Sequence, residues 1–251
     1  MRKDCQKFMS APTWIVWRWR ILLGGYTWSK TLNNNEGDEC YGCGSGSAGP
    51  QNYNDINADY GPGANDVRGR FVVSSVWMLP FGKDQLFLGG RGKVVDLLVG
   101  GWALSDIFTD QSGFPLTVIA GTDFSNTGSA SPRPDRTCSG RGPRAVTSFL
   151  NASCFSTTAL QAAFQAGNPR FGNSGRGILP SWNFIDLDAA LLKNIAITER
   201  FQLQFRAEAY NTLNKPQFAD PNTTFGSPSF AITTGTRANP RDVQFGLKLS
   251  F

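Results

Sequence analysis

Two stretches near the C-terminus alternate between apolar and polar residues without an error. In Phe201–Tyr210, Phe201, Leu203, Phe205, Ala207 and Ala209 fall on one parity and Gln202, Gln204, Arg206 and Glu208 on the other. In Asp242–Phe251 the split is Val243, Phe245, Leu247, Leu249 and Phe251 against Asp242, Gln244, Gly246, Lys248 and Ser250. Successive side chains of a strand point to opposite sides, so each stretch is a strand with one apolar and one wet face. Alternation of this kind fits a soluble sandwich as well as a membrane barrel.

Looser alternation marks four further strands, near Ile21–Leu32, Arg70–Pro80, Gly101–Ser112 and Trp182–Asn194. The connectors between them vary in a regular way. Long loops near 33–66, 113–181 and 212–240 alternate with a medium turn near 81–100 and a tight turn at Ile195–Glu199. Loops beyond about 15 residues are uncommon inside compact domains, whereas short periplasmic turns alternating with long extracellular loops are the habit of outer-membrane barrels. The long loops are rich in Asn, Gly, Ser, Asp and Pro, a composition expected to keep their backbone solvated and not to build a core. Tyr26, Trp28, Trp77, Phe81, Trp102, Trp182, Tyr210 and Phe251 fall at or near strand ends, where a membrane protein places its aromatic belts, although ordinary core packing would account for them as well.

Composition agrees with a β-protein. Charged residues make up only 17% of the 251, while 28 glycines and 14 prolines supply turns. No run of about 18 apolar residues exists, which excludes a transmembrane helix but not strands of about ten residues. The chain has no histidine, and so lacks Ser-His-Asp and Cys-His nucleophile systems and most catalytic zinc sites. The expectation is a protein that is not an enzyme and needs no cofactor. The net charge of +5 is scattered, without the basic, aromatic-interleaved patch that a nucleic-acid partner requires.

Among the five cysteines, the pairs Cys40/Cys43 and Cys138/Cys154 lie in loop-like segments and are candidate disulfides of an oxidising compartment. Cys40-x-x-Cys43 also has the spacing of a redox or metal half-site. Gly44–Gly49 matches a dinucleotide fingerprint formally, but no strand precedes it and Pro50 follows where a helix should open. Asp55, Asn57, Asp59, Asn65 and Asp66 form an oxygen-rich stretch without the order of a calcium loop. Asp186, Asp188, Gln202, Gln204, Arg206, Glu208, Asp242 and Lys248 are candidates to face a barrel lumen, and Lys193 joins them.

Several motifs are similar to those of one group. Tyr26-Thr-Trp-Ser-Lys30, Asp66-Val-Arg-Gly-Arg-Phe71, Leu79-Pro-Phe-Gly82, Gly100-Gly-Trp102, Gln111-Ser-Gly-Phe-Pro115 and Phe205-Arg-Ala-Glu-Ala-Tyr-Asn211 span roughly Gly24 to Phe251. Together they resemble the last third of Oar-like, TonB-dependent receptor barrels. The resemblance implies an antiparallel transmembrane β-barrel fragment of about six C-terminal strands with long extracellular loops, in the outer membrane. It also implies a terminal signal, Gln244, Gly246, Leu249 and Phe251, read by the barrel-assembly machinery. Other implied partners are membrane lipid, the missing N-terminal strands and plug, and TonB acting through that plug. Residues 1–23, with Trp14-Ile-Val-Trp-Arg-Trp-Arg20, do not look like the family's preceding strand and are expected to be an atypical segment that is not native barrel sequence, ahead of the barrel segment 24–251. The fragmentary chain would then be the product of a truncated gene, a misassigned start or a deliberate piece. Two other readings stand beside this one: a secreted β-sandwich that binds carbohydrate or a cell surface, and an adhesive or structural outer-membrane protein without transport.

Overall fold

A computed structural model of the chain describes residues 7–17, 20–34, 50–83, 85–88, 92–129, 131–198 and 200–251. The candidate cysteines Cys40 and Cys43, the Gly44–Gly49 stretch and Glu199 lie outside them. Seven strands form one sheet: β1 (Lys7–Trp17), β2 (Arg20–Lys30), β3 (Gly69–Met78), β4 (Trp102–Gln111), β5 (Phe184–Ala196), β6 (Gln202–Tyr210) and β7 (Asp242–Ser250). Spatial order equals chain order, and every neighbouring pair is antiparallel. The sheet is an open up-and-down meander whose edge strands, β1 and β7, have one partner each among the described residues. The second sheet that a soluble sandwich requires is absent among the described residues.

The sequence reading expected six strands; the seventh is Lys7–Trp17, inside the atypical segment 1–23. It pairs with β2 along its whole length, from Lys7 opposite Lys30 to Trp17 opposite Arg20. Periodicity missed it because Trp14-Ile-Val-Trp17 is apolar at both parities, which leaves a period-two argument no contrast to use.

Alternating connector length sorts the two ends of the sheet. The connections 31–68, 112–183 and 211–241, called here the first, second and third loops, all leave from one end. The opposite end has the short β1–β2 and β5–β6 turns, the C-terminus and the connector 79–101. That connector, expected to be a turn, contains a short helix, α1 (Lys93–Val99).

Apolar burial is inverted relative to a water-soluble domain. Among the residues whose burial is described, every buried hydrophobic one, from Ala64 and Leu116 to Leu160 and Ala231, lies in the long loops and none in the sheet. The expectation of solvated loops is therefore wrong. Leu116, Val118, Phe149, Leu150, Cys154, Phe155 and Ala231 of the second and third loops form one core cluster. Its scaffold is a set of two-residue strands: Pro115–Leu116 against Leu179–Pro180, Asp135–Arg136 against Phe155–Ser156, and Ile119–Ala120 parallel to Thr224–Phe225. A hairpin of Arg141–Ala145 with Ser148–Leu150 and a second helix, α2 (Thr158–Gln165), complete it. Pieces this short satisfy backbone polar groups locally, so a Gly- and Pro-rich chain can bury aromatics without long strands.

Candidate functional site

Cross-strand register decides which side chains share a face. Leu203 lies opposite Ile195 and Leu249, Ala207 opposite Leu191 and Phe245, and Ala209 opposite Ala189 and Val243. This apolar face continues into β4 and β3 through Leu104, Phe108, Val73 and Trp77. Two acids interrupt it: Asp106, which accepts a hydrogen bond from the Ser75 hydroxyl, and Asp110, opposite Phe71.

The other face carries all eight residues expected to face a lumen. Gln202 sits opposite Ser250, Gln204 opposite Lys248, Arg206 opposite Gly246, Glu208 opposite Gln244 and Tyr210 opposite Asp242. The even parity of β5 adds Asp186 and Asp188, opposite Thr109 and Ile107. Part of this face is a connected polar row. Arg206 pairs with Glu208 at 2.8 Å, Gln244 donates to Glu208 at 2.5 Å and to the Tyr210 hydroxyl at 3.1 Å, and Gln204 donates to Asn194 at 2.8 Å. Asp188 accepts the backbone N–H of Asn211 at 3.0 Å, while Asp186 accepts that of its neighbour Leu187. Of the four C-terminal signal residues, Gln244 and Gly246 lie on the polar face. Leu249 and Phe251 take the apolar parity, with the Phe201 and Phe251 ring centroids 6.4 Å apart.

Lys193 does not join the polar row. Its odd number puts it on the apolar face, between Trp102 and Phe205, because a strand of unbroken register cannot turn residues 188 and 193 to the same side. There it is buried, its ammonium donates to the carbonyl of Gly100, and it lies 5.3 Å from the centre of the Trp102 ring.

The three long loops are tied into one cap by residues that periodicity does not reveal. Asp59 of the first loop and Arg133 of the second form a buried pair at 2.5 Å, with side chains 3% and 4% exposed. Burial pushes the Arg133 guanidinium below its ordinary value, and nearby Arg176 adds to this, against the pull of Asp59. Gln51 completes the network. Its backbone N–H donates to Asp59, its side-chain Oε1 accepts from the N–H of Arg133 at 2.8 Å, and its side-chain Nε2 donates to the Gly172 carbonyl at 3.1 Å. Gly172 is obligatory there, since a Cβ would lie 1.9 Å from the Arg133 carbonyl oxygen. Arg176 reaches back to the Asn33 carbonyl at 2.6 Å. Asp66 accepts the N–H of Thr31 and pairs with Arg68. With Asp59 and Asp66 both engaged by arginines, the oxygen-rich stretch is a structural brace, and the described residues contain no cluster of three or more His, Cys, Asp or Glu able to hold a metal.

Third-loop residues fasten the cap to the sheet. Trp182, just before β5, packs edge-on against Phe149 and at a tilt against Phe218, with ring centroids 4.7 and 4.9 Å apart, and donates its indole N–H to Thr233. Buried Gln217 bridges both backbone groups of Ile185. Asn211 ends β6 with φ at 47°, a left-handed conformation that Asn tolerates, and its side chain holds Lys215 on both backbone sides. The Asn at the end of Phe205–Asn211 was the available sequence signal for this hinge; Gln217 offered none. Cys138 and Cys154 are joined as a disulfide inside the cap, with Cα atoms 5.0 Å apart. On the cap's surface, Arg170 grips Asp135 with two bonds of 3.0 and 2.6 Å, and holds its carboxyl below the usual carboxylate range.

The arrangement is a sheet that is polar on one side over β5–β7, apolar on the other, and covered at one end by a braced cap. Among the described residues it offers one polar and one apolar surface for contact. Neither the curated proteins nor the solved structures contain a match to the chain. A model of the outer membrane beta barrel domain family matches residues 18–244, a span that takes in β2 to β6, all three loops of the cap and the start of β7. The chain belongs to the outer membrane beta barrel domain family, and its place is the outer membrane.

Proposed function

We propose that the chain supplies the last strands of an Oar-like, TonB-dependent receptor barrel that imports a scarce ligand. The observation that carries this reading is the coexistence of a meander sheet open at both edges with a braced cap at its long-loop end. Among the described residues the sheet has seven strands, fewer than the eight of the smallest common membrane barrels, and in this reading both of its edges pair with further strands. In this reading the apolar face meets lipid, the polar row from Asp186 to Lys248 faces the lumen or a plug, and the cap is extracellular. Residues Gln244, Gly246, Leu249 and Phe251 engage the barrel-assembly machinery, and energy arrives through TonB and a plug contributed by other sequence. The chain itself performs no catalysis and holds no cofactor.

The cap also favours a second reading. A loop assembly with its own apolar core suits an adhesive surface protein without transport. The DNA upstream of the Met1 codon separates the two. The receptor reading expects an in-frame signal peptide, energy-coupling box and plug. An upstream reading frame that encodes barrel strands but no plug would overturn transport and leave adhesion.

A further inference from the structure

The connector between β3 and β4 wears its apolar side chains on the outside. In α1, Val94, Leu97 and Leu98 are 72%, 53% and 66% exposed, and their spacing puts them on one side of the helix. The helix's one carboxylate, Asp96, turns inward and accepts the backbone N–H of Lys83 at 2.5 Å. The segment before the helix repeats the pattern. Gly82 donates its N–H to Phe87 and Phe87 donates to Pro80, closing a small loop, while Leu86 and the facing rings of Phe81 and Phe87 stay exposed. A carboxylate and backbone N–H groups bonded within the connector, with apolar side chains turned outward, are the reverse of a water-facing helix.

This surface is continuous with the apolar face of the sheet. The indole N–H of Trp102 donates to the Leu98 carbonyl at 2.9 Å, and Lys193 donates to the Gly100 carbonyl beneath the same ring. Trp102 and Lys193 both belong to the apolar face, so the C-terminal end of α1 is fixed at that face's margin. Exposed Lys83 and Lys93 flank the apolar residues with positive charge, the pattern of a helix lying in a membrane interface. We propose that the connector lies in the plane of the phospholipid leaflet at the short-connector end, with Val94, Leu97 and Leu98 immersed at the boundary of headgroups and acyl chains. The inference rests on the reading that the apolar face of the sheet meets lipid.

The test places a photoreactive benzoylphenylalanine singly at Val94, Leu98, Phe108 and Asn168 in the full-length protein in isolated outer membranes, followed by irradiation and mass spectrometry of the adducts. Phe108 reports the apolar face of β4, and Asn168 reports the exposed surface of the cap. Phospholipid adducts at Val94, Leu98 and Phe108, with none at Asn168, are expected. Lipid adducts at Phe108 together with only protein adducts, or none, at Val94 and Leu98 would overturn the connector inference alone. A lack of lipid adducts at Phe108, Val94 and Leu98 alike would overturn both this inference and the lipid-facing reading. The labelled helix positions are exposed, so the label itself does not disturb packing.

Discussion

At the scale of single residues, the Asp59–Arg133 pair carries the sharpest consequence. Both groups are withdrawn from water, and each compensates the other. Removing one partner of a buried pair leaves an uncompensated charge, which costs about 3–5 kcal/mol, whereas removing both together costs far less. Arg133→Met is therefore expected to open the cap, measured as faster protease cleavage within the long loops of the membrane-embedded protein. Asp59→Leu combined with Arg133→Met should restore most of the resistance. A double variant as labile as the single one would show that the network serves some other end. In the sequence Asp59 shows only as part of an oxygen-rich run without the order of a calcium loop; the partner that claims it lies 74 residues away by the numbering, beyond any local pattern.

At the scale of elements, legibility followed contrast. β6 and β7 were readable because each has a pure apolar and a pure polar parity. β1 was not, being apolar at both parities, and neither were the two-residue strands of the cap, too short for any period to show. The same register arithmetic that corrected Lys193 also separates two adjacent leucines. Leu191 lies on the apolar face with Ala207 and Leu104, while Leu192 lies on the polar face with Arg206 and Ala103. An arginine facing mid-bilayer lipid costs about 2–4 kcal/mol, but one facing the lumen is tolerated. Leu191→Arg should lower the amount of folded, heat-modifiable protein in the outer membrane, and Leu192→Arg should leave it near the parent level. The opposite order would reverse the assignment of faces.

Over the whole molecule, two kinds of stability coexist. The sheet holds itself by backbone ladders and its surroundings, while the cap has a conventional core and a crosslink. The general class of fold was legible because strand pattern and connector lengths are sequence-local. The cap was not, because its core joins residues from two loops through contacts that composition does not encode. A crosslink with a sequence separation of 16 contributes about 3 kcal/mol in the loop-entropy picture. Cys138→Ser with Cys154→Ser should make the second loop protease-sensitive while the sheet keeps its heat-modifiable mobility on gels. Joint loss of both properties would show that cap and sheet unfold as one unit.

The bridge from Gln51 to the Gly172 carbonyl spans 121 residues, and that from Arg176 to Asn33 spans 143. Adjacent strands can zip together one hairpin at a time as the chain enters, but these clasps have no counterpart until nearly all of the second loop stands on the same side as the first. The expected course of maturation is therefore divided in time: a wall that grows stepwise from neighbours, then a roof that locks late, with Gly172 as the keystone on which it shuts.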